Sequence, residues 1–160
     1  MRKTPDKETA SDGARLRKMF VVGALVVLGL AGVLGGWSLY TSSAEREIRV
    51  LLERRAQALH DKDLSQYLSC FSPDYQSGTH TYSRLQADAS RWFAQYATIQ
   101  FIFHIGELYI KGEEAFVKES YTWSVTTSKD EEPLNISQWQ VLEMRRENGK
   151  WKIFKTQTAQ

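Results

Sequence analysis

The chain has 160 residues, with 21 Lys/Arg, 19 Asp/Glu, a formal net charge of +2 and a single cysteine. That length holds one domain of ordinary size beside a tail or an anchor, and a lone cysteine excludes an intrachain disulfide framework. Six of the Lys/Arg and three of the Asp/Glu fall in the first 20 residues, so the rest is nearly neutral. Without a basic stripe in the domain, nucleic acid is not an expected partner.

The first 19 residues read as a basic tail. Phe20 to Tyr40 then run without a charged side chain, directly after Arg15, Arg17 and Lys18. At about 1.5 Å per residue such a run is about 31 Å long as a helix, close to the hydrocarbon thickness of a bilayer. Two readings fit it, a signal-anchor that stays and a secretory signal cut near Ser42-Ser43-Ala44; the run is longer than a signal core, which favours the anchor. The cations before the span place the tail in the cytoplasm. The expectation is a single-pass protein of the inner membrane, N-terminus cytoplasmic, with a periplasmic or extracellular domain. Trp37 and Tyr40 stand where interfacial aromatics gather, and Gly32 and Gly36 make a GxxxG pair that also suits an ordinary membrane helix.

Beyond the span, Ile48, Leu51, Leu52, Arg55, Ala56 and Leu59 recur at helical spacing, which predicts an amphipathic helix from Ala44 to His60. Asp61-Lys62-Asp63 ends it. Asp63 with Gln66 resembles a capping box opening a short helix whose Leu64, Tyr67, Leu68 and Phe71 share a face. A polar stretch from Gln76 to Tyr82 leads to Ser83 and Gln86, a second capping signal, ahead of Leu85, Ala89, Trp92, Phe93 and Tyr96. From Ile99 the period becomes 2. Ile99, Phe101, Phe103 and Ile105 alternate with Gln100, Ile102, His104 and Gly106, a turn at Lys111-Gly112-Glu113 follows, and Ala115, Val117, Glu119, Tyr121, Trp123 and Val125 share the next strand's apolar face. Ile136 to Glu147 predicts a third strand. Asn148-Gly149 predicts a type I′ hairpin that pairs Met144 with Ile153 and Arg146 with Trp151. Cys70, between apolar neighbours, reads as a small buried hydrophobe.

Three helices followed by four antiparallel strands make an α+β plan with helices on one face of a curved sheet. With Ala58-Leu59-His60-Asp61-Lys62-Asp63-Leu64, Phe71-Ser72-Pro73-Asp74-Tyr75, Ala115-Phe116-Val117 and the closing Asn148-Gly149-Lys150-Trp151-Lys152-Ile153, the region 44–157 resembles the NTF2-like (SnoaL-like, cystatin-like cone) superfamily. The resemblance implies a cone enclosing a pocket. It also implies that enzymatic members, such as steroid isomerases, dehydratases, epoxide hydrolases and polyketide cyclases, place acids and bases inside.

Glu119 is the candidate catalytic residue, the one charged side chain on its strand's apolar face. A carboxylate buried without a partner is suited to general acid or base work, whereas one at a bulge or rim reaches water or an arginine. His80 is the second candidate, on a loop over the pocket mouth. His104 alternates away from Phe101 and Phe103 toward the other face, and His60 falls at a helix end. Isomerase-type relatives bring an acid from the region after the second helix, where only Asp74 stands, directly after a proline. Tyr67, Trp92, Tyr96, Phe101, Phe103, Tyr121 and Trp123 are the candidate pocket-lining residues. The histidines and the cysteine lack metal-ligand spacing, and no nucleotide or dinucleotide fingerprint is present, so no metal or cofactor is expected. Asn135-Ile136-Ser137 matches a glycosylation acceptor, at a strand start where chance suffices.

The reading is of a membrane-anchored binding or assembly module of the bacterial cell envelope, leaning away from an enzyme. The alternatives are a pocket enzyme acting on a small apolar molecule through Glu119, and a small-molecule binding protein without turnover. The expected partners are the bilayer, a second copy or an envelope protein, and a small apolar ligand. An assembly role calls for an apolar patch on the outer sheet face, near Ile102, His104, Trp139 and Phe154.

Overall fold

A computed structural model describes residues 43–128 and 131–158. The basic tail, the Phe20–Tyr40 run, the Gly32/Gly36 pair and Ser42 lie outside the described residues, and none of the described helices is long and apolar enough to cross a membrane. Residues Ser43–Gln160 form one unit, and every buried apolar side chain among the described residues lies within it, from Ala44 to Ile153. It therefore carries a complete core of its own.

The first helix, α1, spans residues 43–60. Ala44, Ile48, Leu51, Leu52, Arg55, Ala58 and Leu59 are its buried positions, a stripe at intervals of three and four. Ala58 takes the buried place expected for Ala56, which is half-buried. The helix stops because Lys62 turns into the left-handed region (φ 55°), letting Asp63 N–H reach Ala58 O at 2.9 Å and Lys62 N–H reach Leu59 O at 3.3 Å. Lys62 then ties this end to the third helix by donating from Nζ to the carbonyls of Tyr96 (2.9 Å) and Ala97 (3.3 Å).

Helix α2 covers Leu64–Ser69, with Asp63 as N-cap accepting from Gln66 N–H at 2.9 Å. The polar stretch read as connecting chain contains a two-residue hairpin instead: β1 (Gln76–Ser77) pairs antiparallel with β2 (His80–Thr81) across Gly78, whose φ of +58° permits the tight return. That hairpin moves the cap of the next helix. Helix α3 runs Tyr82–Gln95 with Thr81, not Ser83, as N-cap, because β2 delivers Thr81 in an extended conformation with its hydroxyl over Arg84 N–H.

The sheet is a meander, β3 (Thr98–Lys111), β4 (Glu114–Thr126), β5 (Leu134–Glu147) and β6 (Lys150–Thr158), in the order β3-β4-β5-β6. Its last turn has positive φ at Asn148 (50°) and Gly149 (76°), as a type I′ turn requires, and the register pairs Met144 with Ile153 and Arg146 with Trp151. Two irregularities bend it. A bulge between Ile105 and Glu107 transfers the inward set of β3 from Ile99, Phe101, Phe103 and Ile105 to Leu108 and Ile110, and a second between Glu143 and Met144 shifts the β5–β6 register at Phe154.

The inner face packs on the helices through Ile99, Ala115, Val117, Leu142, Met144, Trp151 and Ile153. Phe71 bridges to Ile153, with Ser72 N–H to Ile153 O at 2.8 Å and Ile153 N–H to Cys70 O at 3.0 Å, which seats the α2 exit on β6. On the opposite face, Ile102 (58% exposed), Tyr109 (62%), Phe116 (40%) and Trp139 (48%) lie bare. Phe154, expected in the same patch, sits at the bulge, half-buried beneath Arg145, whose Cζ is 5.4 Å from the ring centroid.

Candidate functional site

The helices close only part of the inner sheet face. Toward the far ends of β4, β5 and β6 a cavity of about 540 Å³ remains, within the range of small-molecule sites. Its buried inner end is formed by Arg55 and Leu59 of α1, Tyr67 of α2, Phe71, Tyr75 and Leu85. Aromatic walls follow: Trp92 meets Trp123 edge-on with centroids 5.3 Å apart, and Phe101 stacks on Tyr121 at 5.1 Å. The rim is polar, with Ser77, His80, Asp88, Gln138, Gln140, Thr156 and Thr158. Tyr75 OH and Thr156 Oγ1, 2.7 Å apart, fasten the rim hairpin side to β6, as does the Ser77 hydroxyl donating to Thr156 O.

Glu119 is fully buried, and both its oxygens are taken. Arg55 Nη2 donates to Oε1 at 2.7 Å and to Oε2 at 2.9 Å, and Gln140 Nε2 donates to Oε1 at 2.6 Å. Of the two readings of Glu119 it is the arginine-bound one that the geometry fits, although deep inside the domain and away from the rim. Glu119 does not line the cavity; Arg55 stands between, with its Cζ 4.9 Å from the Phe101 centroid and 5.8 Å from that of Phe103. A carboxylate so held has no free oxygen to aim at a substrate. Arg55 is itself only 3% exposed, and its Nε has no hydrogen-bond partner among the described residues.

His80 is at the mouth, 51% exposed, with Nδ1 3.7 Å from Oδ2 of Asp88, whose Oδ1 accepts from Arg91 at 2.6 Å. The His80–Asp88 separation is long for a catalytic dyad, and Asp88 is engaged by Arg91 instead. Tyr67 is buried, and its phenol is pushed well above its ordinary range by desolvation against the opposing pull of Arg55. Tyr121 is raised by burial and then by the charge of Glu119, and its hydroxyl donates to Gln138 Oε1 at 2.9 Å. Burial likewise raises the Cys70 thiol, which lies in the core.

The cavity brings together Tyr67, Trp92, Tyr96, Phe101, Tyr121, Trp123 and His80. Phe103 is not part of the lining: one pleat further along β3, it packs on Phe101 and under Arg55. His104 is exposed on the outer face and His60 at the end of α1. Among the residues unforeseen in the sequence are Arg55, Gln138, Gln140, Tyr75 and Asp88. The signal for the first was present: an arginine inside the apolar stripe of a helix and a glutamate inside the apolar face of a strand are each unstable alone, and they satisfy one another.

Comparison with known proteins places this geometry. The model of the family described as "Anti-sigma-I factor RsgI9, C-terminal domain" matches residues 50–160, well over half the chain. The chain belongs to that family. No curated protein matches it by sequence. Among solved structures, Bd1075 of Bdellovibrio bacteriovorus superposes with a TM-score of 0.62 at 11% identity, over 71% of this chain and only 40% of its own. A conserved protein from Planctomyces limnophilus gives 0.64 at 16% identity over 74% of this chain and 99% of its own. An NTF-2 like protein of unknown function from Shewanella oneidensis gives 0.58 at 16% identity over 73% and 99%. At these identities the likeness is one of fold, and the fold of this RsgI9 C-terminal-domain family member is NTF2-like.

Proposed function

We propose that this chain is a membrane-anchored, extracytoplasmic binding module of the bacterial cell envelope whose cavity holds a small apolar molecule without turning it over. The observation that carries the reading is the cavity itself: about 540 Å³ walled by aromatic rings, with Glu119 sealed behind Arg55 and the lining carboxylate, Asp88, held at the rim by Arg91. A binding site gains from such walls, whereas an acid–base enzyme needs a proton acceptor reaching the ligand. The charge-free Phe20–Tyr40 run behind a basic tail supports the anchor and its orientation, and the family's description as the C-terminal domain of an anti-sigma-I factor supports a non-catalytic module. The test is saturable binding of the uncharged dye N-phenyl-1-naphthylamine to residues 43–160, one per domain, abolished by Gln138→Trp, which fills the cavity from its rim with the circular dichroism unchanged. Absence of saturable binding refutes the reading.

A second reading, assembly through the outer sheet face, is favoured by the bare Ile102, Tyr109, Phe116 and Trp139, four large apolar side chains on that face. It is compatible with the first, since the two sites lie on opposite faces of one sheet. The occupant would be a second copy of the chain or an envelope protein.

A further inference from the structure

One polar side chain of the cavity has its orientation fixed by chemistry. Gln140 stands directly across the strand pair from Glu119 and donates from Nε2 to Glu119 Oε1 at 2.6 Å. Salt-bridged to Arg55, the Glu119 carboxylate can only accept, so the Gln140 amide is locked with its nitrogen toward it. Glu119 is fully buried behind the lining, whereas Gln140 is half-buried and part of it. The amide carbonyl, on the branch away from Glu119, therefore stays an acceptor on the cavity side. Gln138, two residues along the same face of β5, is committed differently, because its Oε1 accepts from Tyr121 OH at 2.9 Å.

Resting on the binding reading above, we infer that Gln140 sets the chemical class of the ligand: an uncharged, ring-shaped apolar molecule bearing an O–H or N–H that donates to Gln140 Oε1. The ring shape follows from the walls, where Trp92 meets Trp123 and Phe101 meets Tyr121 with centroids 5.3 and 5.1 Å apart. The donor follows from the locked amide. A ligand with a hydroxyl satisfies the carbonyl, while a hydrocarbon or an ether of the same shape covers it and leaves it unpaired, the kind of loss by which a polar site rejects an analogue. Neutrality follows from the lining charges, which are already paired, Arg55 with Glu119 and Asp88 with Arg91, so an ammonium donor would enter without a counter-charge.

The test uses the full chain in detergent micelles at neutral pH and three probes of one shape, 2-naphthol, 2-methoxynaphthalene and 2-methylnaphthalene, followed by the shifts of the Trp92 and Trp123 indole N–H resonances. Each probe is compared only with itself across variants, so partition into micelles cancels. Gln140→Met nearly preserves side-chain length and leaves both Arg55–Glu119 hydrogen bonds in place. It is expected to weaken 2-naphthol about fivefold, one neutral hydrogen bond, and to leave the ether and the hydrocarbon unchanged. Gln138→Met is the control, expected to treat 2-naphthol and the ether alike because the Gln138 oxygen is engaged by Tyr121. A further reading needs no variant: in the unaltered chain the Gln140 side-chain amide resonances should move further with 2-naphthol than with 2-methoxynaphthalene. Equal movement there, an equal effect of Gln140→Met on all three probes or none on any, or a loss selective for 2-naphthol in Gln138→Met instead, overturns the inference and leaves the binding reading standing. If none of the three probes moves the indole resonances of the unaltered chain, both the inference and the binding reading fall.

Discussion

Replacing Arg55 by methionine removes the cation that holds Glu119 in the interior while nearly preserving side-chain length. In the native domain Arg55 donates twice to Glu119, at 2.7 and 2.9 Å, both residues being essentially out of solvent. Breaking such a pair from one side leaves a buried charge and costs about 3–5 kcal/mol. For a domain of this size that is a fall in Tm of roughly 12–20 °C, at about 4 °C per kcal/mol. Glu119→Gln strands the arginine instead, and its cost is smaller by about 1 kcal/mol because the Phe101 and Phe103 rings still face the guanidinium. The double replacement by methionine removes both charges, so its stability returns to within about 1 kcal/mol of native. Urea unfolding of residues 43–160, followed by tryptophan fluorescence, measures the native domain, each single replacement and the double. An Arg55→Met penalty below about 1 kcal/mol, or a double variant as unstable as the two single losses added together, refutes the account of the pair.

Alkaline pH destabilises the domain. Tyr67 ionises at 10.0 in the unfolded chain and higher when folded, so the folded state holds the proton more tightly; its contribution is complete below that value and is lost as pH rises toward the folded pKa. Cys70, raised from 9.0 by the same desolvation, acts in the same sense, and urea titrations between about pH 8 and pH 11 should show falling stability, with a shallower slope for Tyr67→Phe. On the outer face, Ile102→Lys with Trp139→Glu is expected to leave folding intact and to convert any dimer to monomer in sedimentation velocity; a dimer that persists excludes this face as its interface. In cell fractionation the whole chain should resist carbonate extraction while residues 43–160 alone stay in the soluble fraction, and release of the whole chain by carbonate refutes the anchor.

Much of the fold was legible because the core is written in two plain periodicities. Ile48, Leu52 and Leu59 recur at helical spacing in α1, and Ala115, Val117 and Val125 alternate in β4, so local pattern and final burial coincide. The Asn148-Gly149 turn alone set the β5–β6 register near the hairpin, since both its residues must take positive φ. Thr81 rather than Ser83 caps α3 because that cap depends on β1–β2, a hairpin of two residues per strand held partly by Thr156 from the far end of the chain.

The site was legible in its aromatic walls and opaque in its polar groups. Tyr67, Trp92, Phe101, Tyr121 and Trp123 could be named because an inward-facing position follows from sequence spacing alone. What Glu119 does depends on a residue 64 positions away, and no local pattern reports which distant charge meets it. The sequence by itself determined the succession of three helices and four long strands, the inward face of β4 and the charge-free run before the domain. Only the tertiary structure decided that Arg55 closes over Glu119 and that Phe103 falls outside the cavity, because those outcomes are set by the bulges and the seating of α1 on the sheet rather than by any repeat along the chain.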